Sequence, residues 1–394
     1  MRHRVERSLA IWLVFLLASW VLPAMAQDDQ SQTAISLERQ GKTVEAEAAW
    51  NALSKERPTS SEPLAHLGLL EARQEHYPEA IAFYERAMAL NPSMPGLRLN
   101  FGLALFKAGD YHQAIQEFNP LLKAHPGDQR LTILLGMSHY GLGEFANAVP
   151  FLKQAAAHDS TNLPLLLTLA HSCLLSNQYQ CVLDEFHRIV ALNAESAEAH
   201  MLAGEALDQM KDTAGAIREL RAAVAANPKE PNVHFGLGYL LWTQGQTQDA
   251  AREFQAELDN DPGHAQAMLY LADSLIQMNR LEDARPLLEK VVSINPANAM
   301  GHLDLGIVYT EAGRNEDALR ELKQAAALKP GDVSAHYHLG RLYRSMGRTA
   351  EAKAEFDKSK SLNKAADEGL IKVMSRAPHP DNAPTGAVTA PGVK

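Results

Sequence analysis

Residues 299–332 read AMGHLDLGIVYTEAGRNEDALRELKQAAALKPGD, and four of them open ladders that run through the chain at a spacing of 34. Gly306 belongs to the series Gly68, Gly102, Gly136, Ala170, Gly204, Gly238, Ala272, Gly306 and Gly340. Ala318 belongs to Ala46, Ala80, Ala114, Ala148, Val182, Ala216, Ala250, Ala284, Ala318 and Ala352. Leu322 closes each unit's apolar pair, in the series Trp50, Tyr84, Phe118, Leu152, Phe186, Leu220, Phe254, Leu288, Leu322 and Phe356. Pro330 shares its phase with Pro58, Pro92, Pro126, Pro228, Pro262 and Pro296. Ladders of one period mark a chain built from stacked copies of one supersecondary unit.

Each ladder has a steric cause. The small and large residues of the second and third ladders stand four apart, which puts both on one face of a helix. Two helices joined by a short turn approach closely where facing side chains are small, so Gly or Ala of the first helix is expected to oppose Ala of the second. Proline ends the second helix, because it lacks an N–H and disfavours helical geometry in the residue before it. Gly41, Gly109, Gly143, Gly245, Gly313 and Gly347 fall where the chain turns between helices, a place for left-handed backbone.

Leu67-Gly68 with Ala80, Tyr84, Ala87 and Pro92, and Asp304-Leu305-Gly306 with Tyr309, Ala318, Leu322, Ala325 and Pro330, resemble the tetratricopeptide repeat family. The resemblance implies an all-α, right-handed α-solenoid (superhelix) of ten helix-turn-helix units over residues 27–366, with a C-terminal capping helix at 367–376. The first unit is polar in its first helix, and the fifth departs with Val182, Asn177 and Ala194, marking a candidate irregularity or hinge. Residues 377–394 lose all periodicity and turn to Pro, Ala, Gly and Thr, the composition of a disordered tail.

Arg2, Arg4 and Arg7 precede an apolar run from Leu9 to Leu22 and the small-residue stretch Pro23-Ala24-Met25-Ala26. That is the pattern of a signal peptide over residues 1–26, cleaved after Ala26, and it predicts a periplasmic or secreted protein. If uncleaved, the same segment would be the chain's membrane attachment. The two cysteines, Cys173 and Cys181, stand eight residues apart across a turn, compatible with a disulfide or with two small buried side chains. A net charge of −10 with both signs interspersed offers no basic stripe for nucleic acid.

The resemblance also implies a concave wall lined by the first helices, at the second, fifth, ninth and twelfth positions of each unit. The residues there include Leu99, Leu103, Phe106, Met137, Tyr140, His171, Phe235, Tyr239, Trp242, Tyr337, Arg341 and Arg344. These are the expected partner-binding residues, with Phe235, Tyr239 and Trp242 as aromatic anchors. Glu198, Glu205 and Asp208 take such positions in the sixth unit, opposite in sign to Arg341 and Arg344. The carboxylate clamp known in peptide-holding members is absent, since Leu99, Asn100, Leu103, Arg130 and Leu134 occupy its positions. His200, His234, His302 and His336 repeat at the fourth position, where roughly 10 Å between stacked helices keeps them from sharing a metal. No phosphate loop, His-Glu-x-x-His or nucleophile elbow occurs, so neither catalysis, cofactor nor metal is expected. The function expected is a scaffold of the cell envelope binding proteins or peptides in its groove, the alternative being an accessory to glycan or exopolysaccharide handling.

Overall fold

A computed structural model describes residues 30–376, with side chains described to residue 365, and every regular element among them is an α-helix. The expected signal peptide at 1–26 and tail at 377–394 lie outside the described residues. Counting repeats from Gln27, the first two hold α1 (30–39), α2 (Thr43–Glu56), α3 (Ser61–Arg73) and α4 (Tyr77–Leu90). The next three hold α5 (Leu97–Ala108), α6 (Tyr111–Ala124), α7 (Gln129–Gly141), α8 (Phe145–His158), α9 (Leu163–Leu175) and α10 (Tyr179–Leu192). Then come α11 (Ala197–Gln209), α12 (Thr213–Ala226), α13 (Val233–Thr243), α14 (Thr247–Asn260), α15 (Ala265–Gln277) and α16 (Leu281–Ile294). The last are α17 (Ala299–Glu311), α18 (Asn315–Leu328), α19 (Val333–Ser345) and α20 (Thr349–Arg376). The chain forms two compact bodies, an N-terminal one ending at Ala194 and a C-terminal one starting at Glu195.

Within the repeats the two helices are clamped by the ladders, and the tightest contact of the first helix's glycine falls on the large residue of the second. A Cβ placed on Gly68 would stand 2.8 Å from the Tyr84 ring, one on Gly102 2.6 Å from Phe118, and one on Gly238 2.9 Å from Phe254. The small residue of the first helix therefore seats the large residue of the second, and at Gly204 both partners are met, Leu220 at 2.9 Å and the backbone oxygen of Ala216 at 3.3 Å. Ala80, Ala114 and Ala250 are themselves wholly buried, as are Tyr84, Phe118 and Phe254. Val182 in the fifth repeat is wholly buried too, so its extra methyl groups are taken into the core.

The turn after each first helix places one residue in left-handed backbone. Six are the glycines named above; Glu75, Asn177, Lys211 and Asn279 take the same place with φ of 64°, 59°, 69° and 57°. The last residue of a repeat caps the next first helix: Asp128, Asn162, Ser196, Asn298 and Asp332 accept backbone N–H groups there. At the third and seventh repeats this position holds Met94 and Glu230, and Pro95-Gly96 and Pro231-Asn232 follow. There Gly96 (φ 76°) and Asn232 (φ 66°) are left-handed, and α5 and α13 start two residues into the repeat.

Second helices end in the expected register even where the proline is missing, as at Asn193 after α10. In the tenth repeat, where Lys364 stands in the proline position, α20 runs on without a break to Arg376. The segment expected as the C-terminal cap is a continuation of α20, as the missing proline allows. Cys173 on α9 and Cys181 on α10 form a disulfide with Cα atoms 5.8 Å apart, joining the two helices across their turn.

Candidate interaction surface

In the N-terminal body the expected groove residues lie on the first helices α5, α7 and α9. Leu99, Leu103 and Phe106 on α5 are half-buried against the core, the Phe106 ring meeting Tyr111 edge-on at 5.5 Å. Met137 and Tyr140 on α7 are half-buried as well. The Tyr140 hydroxyl lies 2.7 Å from Nδ1 of half-buried His171 on α9, a polar link between the fourth and fifth repeats.

The C-terminal body gathers rings. Phe235 and Tyr239 on α13 have centroids 6.3 Å apart, and Tyr239 and Trp242 stack at 6.1 Å. Tyr270 on α15 closes the cluster, 5.4 Å from Tyr239 and 5.0 Å from Trp242. Trp242 Nε1 donates to Asp273 at 2.6 Å, which fixes the indole edge. Phe235 and Trp242 are half-buried, whereas Tyr239 remains 37% exposed. Burial pushes the Tyr270 hydroxyl above the usual tyrosine range, with Tyr239 and Asp273 adding to the effect. Tyr270 stands at the sixth position of its repeat, outside the four columns that the sequence marks as groove. Asp273 stands at the ninth, within them.

A cavity of about 410 Å³ opens beside these rings between α11 and α13. Its walls include Phe235 and Tyr239 on one side, Glu205 and Asp208 on the other, and Met201 and Leu220 beneath. Glu205 and Asp208 are one helical turn apart and share a face. Neither carboxylate has a hydrogen-bond or ion-pair partner among the described residues. Asn232, just before the late start of α13, and Gly236 within it also line the cavity. In place of a local cap, buried Glu257 on α14 accepts the backbone N–H groups of Asn232 at 3.1 Å and Phe235 at 3.0 Å. This cap fixes the start of the helix that carries the aromatic wall.

Tyr337, Arg341 and Arg344 on α19 are exposed but engaged locally. Tyr337 meets Phe356 at 5.9 Å, Arg344 lies over the same ring at 5.6 Å, and Arg341 reaches Glu311 at 3.7 Å. The contacts of these three residues thus fall on Phe356, His338 and Glu311, outside the Tyr239 cluster.

The repeated histidines have a structural partner that their spacing encodes. His200, His234, His302 and His336 each place Nδ1 within 3.0 Å of the glutamate 19 residues later, Glu219, Glu253, Glu321 and Glu355. Arg98 and Glu117 make the same pair at 2.7 Å. Each pair ties the first helix to the second of its own repeat. In the ninth and tenth, Nε2 also donates to the carbonyl of Pro296 at 3.0 Å or Pro330 at 3.1 Å. Among the described residues no group of three or more His, Cys, Asp or Glu could hold a metal. Asp304 on α17 is buried with Oδ2 lacking a partner, and desolvation raises its carboxyl well above the usual range, the charge of Asp273 adding to this.

Two family models described as tetratricopeptide repeat match, one over residues 32–95, 183–231 and 235–299, the other over 71–137 and 309–363, together more than half of the chain. The TPR repeat-containing thioredoxin TTL4 of Arabidopsis thaliana is 28% identical over 146 residues, 35% of this chain. This chain spans 21% of the length of that relative. Among solved structures, YrrB, described as a TPR protein with an unusual peptide-binding site, is 17% identical with a TM-score of 0.41, over 48% of this chain and 97% of that one. MamA from Desulfovibrio magneticus RS-1 is 24% identical with a TM-score of 0.40, over 43% and 97%. A chain of the APC/C hetero-tetramer Cut9-Hcn1 is 17% identical with a TM-score of 0.46, over 75% and 58%.

Proposed function

The chain belongs to the tetratricopeptide repeat family, whose repeats make protein-protein interaction scaffolds, and from that premise we propose that it holds proteins or peptides of the cell envelope on the first-helix face of its C-terminal body. The observation that carries the site is the cluster of Phe235, Tyr239, Trp242 and Tyr270, open at Tyr239 and continuous with the cavity under α13. Aromatic anchors beside a cavity are the features that dominate the energetics of an interface. The location in the envelope is supported by the basic, apolar and small-residue order of residues 1–26 and by the Cys173–Cys181 disulfide, since disulfides persist in oxidising compartments.

Replacing Tyr239 and Trp242 by Ala is expected to weaken capture of partners from envelope extracts while helicity stays unchanged. An unaltered set of captured proteins would overturn the site. Sequencing the N-terminus of protein recovered from the periplasm or medium checks the location, and Gln27 is the expected first residue.

A further inference from the structure

The cavity between α11 and α13 has walls of opposite character. Phe235 and Tyr239 present ring surface, whose faces are negative by their quadrupole, and Glu205 and Asp208 present two carboxylates. The carboxylates repel each other along one helical turn, and no cation among the described residues relieves them. The positive end of the α13 dipole also borders the cavity, but its Asn232 and Phe235 N–H groups are already held by Glu257, which leaves the two carboxylates as the formal charges on the cavity wall. Apolar ring area can solvate a methylene stem while the carboxylates meet a charged head. A volume of about 410 Å³ lies in the range of roughly 300–1,000 Å³ usual for ligand pockets.

We infer that this cavity receives a basic side chain, the guanidinium or ammonium group of an Arg or Lys in a bound peptide, stacked on Tyr239 and Phe235 and paired with Glu205 and Asp208. The inference rests on the reading of this face as a peptide-binding surface and names what that surface selects. Gly236 at the rim bears on access: a Cβ there would make only ordinary contact with Leu220, 3.5 Å away, so its missing side chain leaves room and not strain. Arginine-containing segments are favoured over acidic ones by charge, and over aliphatic ones by the unpaired carboxylates.

The test follows the Met201 methyl resonance, which reports from the cavity wall, in the full chain labelled with 13C-methyl methionine and assigned with Met201→Leu. The probes are N-acetyl-arginine amide, N-acetyl-norleucine amide and N-acetyl-glutamate amide. The arginine probe is expected to shift Met201 saturably and to bind at least tenfold more tightly than the norleucine probe, with no binding of the glutamate probe. Glu205→Gln with Asp208→Asn, which neutralises two carboxylates that hold no internal partner, should abolish that preference without moving the thermal melt. Equal affinity for arginine and norleucine, a preference that survives neutralisation, or no saturable shift with any probe would each overturn the inference. Capture of partners that depends on Tyr239 and Trp242, without any arginine preference, would discard the basic side chain and leave the scaffold reading standing.

Discussion

The third and seventh repeats share a backbone and differ in what they build on it. Both begin with Pro followed by a left-handed residue, Gly96 or Asn232, and in both the first helix starts late. Both clamp their helices through the fourth position, Arg98 on Glu117 and His234 on Glu253. Both seat a phenylalanine against glycine, Phe118 on Gly102 and Phe254 on Gly238. The walls then diverge. Leu99 and Leu103 stand where the seventh repeat has Phe235 and Tyr239, and Leu69 and Ala72 of the preceding helix stand where it has Glu205 and Asp208. Asn100 fills the position that Gly236 leaves empty. A shared frame with different walls shows that the repeat period fixes the backbone, while a handful of positions decide the chemistry of the surface it carries.

If the frame is common, the largest effects should be alike in the two repeats. Phe118→Ala and Phe254→Ala each empty a wholly buried site, and each is expected to cost about 3–5 kcal/mol in chemical denaturation. A large disparity between them would break the equivalence. A smaller effect separates the bodies: reducing Cys173–Cys181 should destabilise the N-terminal body by about 2–3 kcal/mol, the value for a short closed loop. The chain has no other cysteine, so the C-terminal body's hydrogen-exchange protection should not change.

Glu257→Leu installs the residue type found at the matching position 121 and removes the borrowed cap of α13. It is expected to cost about 1–2 kcal/mol, as cap losses do, and to speed amide exchange at Asn232 and Phe235. The smallest change is expected from Asp304→Asn, at the column where the fifth repeat has Thr168. The folded state raises the Asp304 carboxyl above its unfolded value, so ionisation works against folding as pH climbs above the ordinary aspartate range of about 3.9. The substitution should therefore raise Tm at pH 7 and leave it nearly unchanged at pH 3.

The helix pairs and the glycine turns were legible because a period of 34 over ten copies averages out local ambiguity, whereas the left-handed Glu75, Lys211 and Asn279 and the late starts of α5 and α13 were not. The partner of each small residue was not, since a ladder shows which residues recur and not how far two helices slide past one another. Gly68 thus has the Tyr84 ring as its nearest neighbour, a contact the sequence reading, which named Ala80, did not supply. The histidine column was visible, but its glutamates lie 19 residues away on the other helix, a spacing that belongs to the hairpin and to no single helix. For the candidate interaction surface, Phe235, Tyr239, Trp242 and the acidic residues of α11 were named from the columns that the family resemblance implies. Tyr270 could not, because it stands at the sixth position of its repeat, outside the four groove columns, and only the packing of α15 on α13 brings it to Tyr239 and Trp242.

The central claim is that the seventh repeat carries the partner and the third, on the same frame, does not. Incorporating p-benzoylphenylalanine at position 239 and, separately, at position 103 in the native host, followed by irradiation and mass spectrometry, tests it most directly. Adducts with partner peptides at position 239 and none at position 103 are predicted; adducts at 103 alone, or at neither, would contradict it.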